Sequence, residues 1–177
     1  MPILPDICEG ISMFFDDLTQ EEVNMLEKSG TVKVYDVGSY LMREGSKGTS
    51  LSIILSGSVE VRKPLTDFHS KAVAVLKACD LVGDLGFLGA ESRSADIIAL
   101  SICETLEFEK STFESIIDMH PKLGAKIYRN IARILAQRLV NTNDELRDAV
   151  IWSLEKGIER LSLPDIRQEY KLKFKKP

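Results

Sequence analysis

Residues 82–100 read VGDLGFLGAESRSADIIAL. Gly83 permits a sharp turn at the end of an apolar strand, and Asp84 stands where a short helix can begin. The free amides of a first helical turn attract anions, the helix dipole strengthens that attraction, and Gly86 lets a ligand approach closely. The stretch therefore predicts an anion site between a strand and a short helix.

The second half of the same stretch adds a cation and a hydroxyl group. Arg93 offers a fork that holds two phosphate oxygens at once. Ser94 supplies a hydroxyl, and Ala95 supplies a small side chain and an amide. Together with the carboxylate of Asp84, these groups predict a ligand that joins a phosphate to a hydroxylated group. The alternative is a structural salt bridge from Arg93 to Asp84 or Glu91.

On both sides of this stretch, residues 31–108 contain short β-rich runs separated by glycines. Strands at roughly 8–12-residue spacing predict a double-stranded β-helix, or jelly-roll barrel. The alternation of Val59 with Val61, and of Val73 with Val75, predicts that both of these strands bury one face. The predicted strands are Thr31–Tyr35, Tyr40–Arg43, Leu51–Leu55, Val59–Arg62, Ala72–Leu76, Asp96–Leu100 and Ile102–Phe108.

A helix is predicted before the barrel, over about residues 11–29. Thr19 and Glu22 have the spacing of a capping box, and Gly30 is a natural stop. The predicted fold class is α+β and mainly β: a jelly-roll barrel flanked by an N-terminal helix and a long C-terminal dimerisation helix.

Helical periodicity returns after the barrel. Ser111 is placed to cap a helix that ends near Met119, and His120–Pro121 interrupts it because a residue before proline disfavours the α conformation. A long helix is then predicted over residues 122–161, on the order of 60 Å at about 1.5 Å per residue. Its apolar stripe predicts a homodimer through a second copy of the helix. The alternative is a break near 141–143 that folds the helix back on the barrel.

Composition and charge exclude several classes of protein. The chain has 177 residues, of which 44% are hydrophobic and 28% charged, as expected for one globular domain. Its net charge of −4 argues against a general polyanion binder. No apolar run approaches the about 20 residues that span a bilayer. No secretory signal is visible, and the three scattered cysteines fit no disulfide framework, which favours the cytoplasm.

Motifs of enzymes and metal sites are missing from the sequence. It has no GxSxG, HExxH or P-loop pattern. His69 and His120 have no local partners at metal-ligand spacing. We therefore predict a non-catalytic protein with no catalytic residues, no metal and no resident cofactor.

Several blocks, in order, resemble the cyclic nucleotide-binding domain family, which includes the bacterial catabolite activator protein and the regulatory subunits of the cyclic-AMP-dependent kinase. The phosphate-binding cassette of that family reads roughly Gly-Glu-Leu-Ala/Gly-Leu, then Arg-Ser/Ala/Thr-Ala. This chain has GDLGF at 83–87 and RSA at 93–95. The other similar blocks are LTQEE at 18–22, GSYLMREG at 38–45, LSIILSGSVEV at 51–61 and AQRL at 136–139.

The resemblance implies roles for particular residues. Asp84, together with Gly83, falls where a family glutamate accepts a hydrogen bond from the ribose 2′-hydroxyl, and aspartate is one methylene shorter. The residues expected at the cyclic phosphate are Arg93, Ser94, Ala95, Leu85 and Gly86. The residues expected around the base are Thr142 and Asn143 of the long helix and Val61 and Val73 of the barrel wall.

The function implied is a free-standing sensor that binds cyclic AMP or cyclic GMP and signals to an unknown protein partner by repacking its long helix. Only 16 residues follow Leu161, too few for the helix-turn-helix domain of the catabolite-activator family, so direct DNA binding is not expected. The expected domains are 1–161 and a basic tail, 162–177. The alternative is an interaction or scaffold protein on this fold, with a degenerate pocket or another anionic ligand, which Asp84 favours.

Overall fold

The structure is a computed structural model that describes residues 13–66 and 69–155. The predicted basic tail, 162–177, and the last part of the predicted long helix lie outside the described residues. The boundary expected near residue 161 therefore stays a prediction.

The N-terminal region contains a 3₁₀ turn, Met13–Phe15, and then helix α1, Gln20–Ser29. The capping box is confirmed: the Glu22 amide donates to the Thr19 hydroxyl at 3.3 Å, and the Thr19 amide donates to the Glu22 carboxylate at 2.7 Å. The predicted single helix is wrong in its first half, because Thr19 is extended and starts a new helix. Gly30 ends α1 and is needed for packing, since a Cβ there would lie 2.6 Å from the Leu106 side chain.

The described residues form eight strands in two antiparallel four-stranded sheets. The predicted jelly-roll barrel and the α+β class are confirmed. The strands are β1 Thr31–Tyr35, β2 Tyr40–Met42, β3 Leu51–Ser56, β4 Ser58–Thr66, β5 His69–Lys77, β6 Leu81–Val82, β7 Asp96–Ala99 and β8 Cys103–Phe108. The strand order is β1-β8-β3-β6 in one sheet and β2-β7-β4-β5 in the other.

The core lies between the two sheets and draws on both. Ile54 and Cys103 of one sheet pack with Val59 and Ile97 of the other. The prediction that the strand around Val73 and Val75 buries one face is wrong, because these side chains are 41% and 51% exposed. Both faces of β5 are largely uncovered: the strand lies at the edge of its sheet, and Leu76 is its one half-buried residue.

Helix α3, Lys110–Met119, follows the barrel directly. The predicted cap at Ser111 is wrong: the helix starts one residue earlier, and Glu109 is its extended N-cap. The predicted interruption at His120 is confirmed, with φ −131° and ψ 70°. Pro121 then begins helix α4, Pro121–Glu155, at the first helical position, which proline favours.

Helix α4 is continuous through residues 141–143, so the predicted alternative of a break there is wrong. The chain divides into two compact units, Met1–Ile134 and Leu135–Pro177, whose boundary falls within α4. None of the helices in the described part of the chain has the length and apolar content needed to cross a membrane. In the second unit, the exposed large apolar residues are Leu139, Val140, Leu146, Val150, Ile151 and Trp152.

In the first unit, α4 is held to the N-terminal segment by polar contacts. Arg133 pairs with Asp16, and Arg129 with Asp17, each at 2.8 Å. The buried Asn130 amide donates to the carbonyls of Phe14 and Asp16 at 3.1 and 2.7 Å. Acidic residues of the N-terminal segment are thus matched by basic residues at helical spacing on α4. A third pair joins Lys126 to Glu22 at 2.7 Å.

Candidate functional site

The segment 83–95, called the cassette below, forms a turn, a short helix and an irregular arm, residues 89–95. Gly83 has φ +82° and ψ 8°, a left-handed conformation that favours glycine. Helix α2, Asp84–Leu88, follows it, and strand β7 resumes after the arm. A Cβ at Gly83 would also lie 2.6 Å from the Ser50 carbonyl oxygen. The turn predicted at Gly83 and the short helix at Asp84 are therefore confirmed.

Asp84 is 6% exposed at the start of α2. Its Oδ1 accepts a hydrogen bond from the Leu85 amide at 2.9 Å. This amide was predicted to bind the ligand phosphate, so the carboxylate of the chain itself uses one of the donors expected for the anion. Helix α2 has only five residues, so its N-terminus does not make an anion site by itself. The site therefore also depends on the side chain that packs against the helix.

That side chain is Arg93, which is 6% exposed. Its Nη1 donates to the Gly83 carbonyl at 3.1 Å, and its Nη2 donates to the Ser50 hydroxyl at 3.0 Å. Both acceptors are uncharged. Within the described residues no carboxylate forms an ion pair with Arg93, so the predicted alternative of a salt bridge to Asp84 or Glu91 is wrong.

Arg93 is thus a cation without a contacting counter-ion in the described structure. Burial lowers the pKa of its guanidinium, while the more distant carboxylates of Glu107, Asp84 and Glu109 act to raise it. An arginine stays protonated in a protein even so. Because an uncompensated buried charge is unfavourable, a bound anion would stabilise this site.

Three glycines line the guanidinium of Arg93. A Cβ at Gly48 would lie 2.9 Å from Nε, and a Cβ at Gly83 or Gly86 would lie 2.7 or 2.9 Å from Nη1. The close approach expected at Gly86 is made here by groups of the chain itself, since a Cβ there would also lie 2.6 Å from the Gly48 carbonyl oxygen. The backbone therefore packs against the guanidinium where side chains would clash.

The loop between β2 and β3 carries Gly48 and Ser50 and is tied to the backbone of Arg93. The Gly45 amide donates to the Arg93 carbonyl at 2.9 Å, and the Arg93 amide donates to the Ser46 carbonyl at 2.8 Å. Sequence reasoning missed this loop. Its composition carries no signal for the contact, which arises only when the barrel brings residues 45–50 to the cassette.

Strand β4 holds the arm of the cassette through Lys63. Lys63 of β4 donates to the Ser94 carbonyl and pairs with Glu44 at 2.8 Å. The Glu44 amide in turn donates to Asp96 Oδ1 at 2.8 Å. Ser94 is exposed and Ala95 is half-buried. The predicted phosphate residues of α2 and of the arm thus lie in one segment, which is anchored by β4 and by the loop between β2 and β3.

The residues predicted for the base lie in two places. Val61 is half-buried against the core on β4, and Val73 is exposed on β5. Thr142 and Asn143 are exposed on α4 in the second unit. The Thr142 hydroxyl donates to the Arg138 carbonyl of its own helix at 2.9 Å. Contact of these four residues with a base stays a prediction.

Comparison with known proteins agrees with this geometry. The family model of the cyclic nucleotide-binding domain matches residues 32–120, half of the chain. The chain belongs to the cyclic nucleotide-binding domain family.

Three proteins show how far the similarity extends. The crystal structure of the catabolite activator protein of Thermus thermophilus superposes with a TM-score of 0.69 at 25% identity, covering 78% of this chain and 63% of that one. Glutaminase 1 of Bradyrhizobium diazoefficiens is 29% identical over 72% of this chain. Cyclic GMP-binding protein C of Dictyostelium discoideum is 29% identical over 71% of it. The chain spans 20% of the glutaminase and 5% of the Dictyostelium protein.

Proposed function

We propose that this chain is a regulatory module that binds cyclic AMP or cyclic GMP at the cassette. The observation that carries the proposal is the buried guanidinium of Arg93, which is fixed by two uncharged acceptors and has no ion pair within the described residues. Membership of the family supports the nucleotide as the anion, and the name of the Dictyostelium relative supports cyclic GMP as one candidate.

Arg93 is the main phosphate ligand in this proposal. A guanidinium has five N–H donors, and the Gly83 carbonyl and the Ser50 hydroxyl use two of them. The others can serve the two exocyclic oxygens of a cyclic phosphate. The remaining groups proposed at the phosphate are the Ser94 hydroxyl and the amides of Leu85, Gly86 and Ala95.

The ribose is assigned to the start of α2 and the base to the barrel wall and long helix. In this proposal the carboxylate of Asp84, beside Gly83, accepts a hydrogen bond from the 2′-hydroxyl, and its side chain is one methylene shorter than the family glutamate. The Leu85 amide donates to Asp84 Oδ1, so in this proposal it either divides its hydrogen bond between Asp84 and the phosphate or exchanges Asp84 for the phosphate. The residues proposed at the base are Val61, Val73, Thr142 and Asn143.

The signal passes through α4 in this proposal. A ligand shifts a conformational equilibrium only by its different affinity for the two states. The exposed apolar residues of α4 support a homodimer, whose second copy covers them, and a change in that packing is the output to a protein partner. We assign the module no catalytic activity, no resident cofactor and no direct DNA contact. We place it in the cytoplasm, where it meets a cyclic nucleotide second messenger.

Calorimetric titration with cyclic AMP and cyclic GMP tests the proposal. We expect micromolar binding that is lost in Arg93→Ala, because the main phosphate ligand is removed. Arg129→Ala is the matched control, since it removes an exposed arginine paired with Asp17 and should bind as the wild type does. No heat and no thermal shift at millimolar nucleotide would contradict the proposal.

A second candidate function has an observation in its favour. Asp84 is shorter than the family glutamate and is bonded to the Leu85 amide. This arrangement suits an interaction or scaffold protein on the same fold, with an unused pocket or a different anion at Arg93. Failure of both nucleotides to bind, with Arg93→Ala still changing the stabilisation of the protein by inorganic phosphate, would favour this candidate.

A further inference from the structure

We propose that Lys63 is a positioning residue for the phosphate-binding arm of the cassette, a role that rests on the proposed nucleotide binding. Lys63 lies on β4, outside the motif that the sequence singled out. Its ammonium group donates to the Ser94 carbonyl and pairs with Glu44 Oε1 at 2.8 Å. Within the described residues, Ser94 makes no hydrogen bond other than this one with Lys63.

The contact with Ser94 acts on the next amide along the chain. The carbonyl of Ser94 and the N–H of Ala95 belong to one planar trans peptide, so they point in opposite directions. Fixing the carbonyl toward Lys63 therefore fixes the Ala95 N–H toward the other side of the arm. This N–H is one of the proposed phosphate donors.

The charge of Lys63 adds to the effect of its position. A cation on a carbonyl oxygen polarises the peptide and makes the attached N–H a stronger donor, as in a hydrogen-bonded chain. Glu44 holds the ammonium in place, and its backbone amide donates a hydrogen bond at 2.8 Å to Oδ1 of Asp96, the first residue after the arm. Lys63 and Glu44 thus hold both ends of residues 94–96.

The neighbouring strand offers a matched control. Lys71 of β5 lies directly opposite Lys63 in the β4–β5 register, so both lysines start from the same face of the hairpin. The side chain of Lys71 is exposed and makes no hydrogen bond or ion pair within the described residues. Lys63→Met and Lys71→Met therefore remove the same charge from adjacent places, but only the first removes the contact with Ser94.

The experiment measures the affinity for cyclic AMP and cyclic GMP in the wild type, Lys63→Met, Lys63→Arg and Lys71→Met, each checked by thermal unfolding. We expect Lys63→Met to weaken binding about three- to tenfold, since one charged contact of moderate exposure is lost. The affinity of Lys71→Met should stay within about twofold of the wild type, because this variant loses only a charge that is screened by solvent. Lys63→Arg should recover most of the affinity, because arginine keeps a charged donor for the carbonyl.

A second measurement does not depend on the ligand. In ¹⁵N-labelled protein without nucleotide, the amide resonance of Ala95 should shift in Lys63→Met and remain in place in Lys71→Met. Equal loss of affinity in the two methionine variants, or an unmoved Ala95 resonance in Lys63→Met, would overturn the positioning role. If the wild type binds neither nucleotide, the proposed function fails, and the Ala95 resonance alone decides whether Lys63 orients this amide.

Discussion

The guanidinium of Arg93 donates a hydrogen bond to the hydroxyl of Ser50, a residue 43 positions earlier in the chain, with 3.0 Å between Nη2 and Oγ. The loop that carries Ser50 is bound to the backbone of Arg93 as well, through Gly45 and Ser46. The conformation of the main proposed ligand residue is thus set from outside the cassette. An arginine whose rotamers are already restricted loses less entropy when it binds an anion.

Removal of the Ser50 hydroxyl should lower both stability and affinity. In Ser50→Ala, a buried cation loses an acceptor, which we expect to reduce the free energy of unfolding by about 1–2 kcal/mol. Urea denaturation measures this change. Ser46→Ala is the control in the same loop, because its hydroxyl donates to the Arg43 carbonyl, not to Arg93. Equal losses of stability in the two variants would show that the hydrogen bond from Arg93 to Ser50 does not stabilise the fold more than the bond within the loop does.

Lengthening the Asp84 side chain should strengthen nucleotide binding. Asp84→Glu restores the reach of the family glutamate toward the ribose 2′-hydroxyl, and one hydrogen bond to a charged acceptor corresponds to a gain of about tenfold or more. Calorimetry with cyclic AMP and its 2′-deoxy analogue measures the gain. We expect it for cyclic AMP alone. A similar gain in affinity for the 2′-deoxy compound, or no gain for either compound, would contradict the contact between residue 84 and the ribose 2′-hydroxyl.

The Glu22 carboxylate should make stability depend on pH. Burial raises the pKa of Glu22, but the hydrogen bond from Lys126, the bonds from Thr19 and the charge of Lys126 outweigh it, so the pKa lies below its ordinary value of 4.5. Folding therefore favours the ionised form. Its contribution is present above pH 4.5 and is lost as the pH falls through the folded-state pKa.

Glu22→Gln tests this dependence. At pH 7 we expect a loss of up to about 1 kcal/mol in the free energy of unfolding, from the partly exposed ion pair with Lys126, since a glutamine can keep the capping box. The difference from the wild type should shrink below pH 4.5. Glu21→Gln, on the same first turn of α1, serves as the comparison, since the bonds to Thr19 and Lys126 come from Glu22. A difference that does not change with pH would contradict the assignment.

The exposed apolar face of α4 should carry the homodimer. Leu146→Glu places a charge in the proposed interface, and we expect it to convert a dimer into a monomer in light scattering after size-exclusion chromatography. Glu145→Lys changes the charge at the neighbouring exposed position and should leave the dimer intact. A wild-type chain that is monomeric at all concentrations would rule this interface out.

Short-range patterns in the sequence determined the elements of the fold. The Thr19–Glu22 box starts α1, Pro121 separates α3 from α4, and the short runs of β-formers become the eight described strands. Each of these outcomes depends on hydrogen bonds or steric restrictions within a few residues. The turn at Gly83 and the helix after it follow from the same local physics.

Only the tertiary structure decided what surrounds the cassette. Ser50 reaches Arg93, and Lys63 reaches Ser94, across 43 and 31 positions of sequence. The exposure of Val73 likewise depends on what packs against the faces of β5, which alternation along the chain does not reveal. Contacts between distant residues depend on how the two sheets pack and where the β2–β3 loop is carried, because side chains far apart in the chain meet only after the barrel has closed.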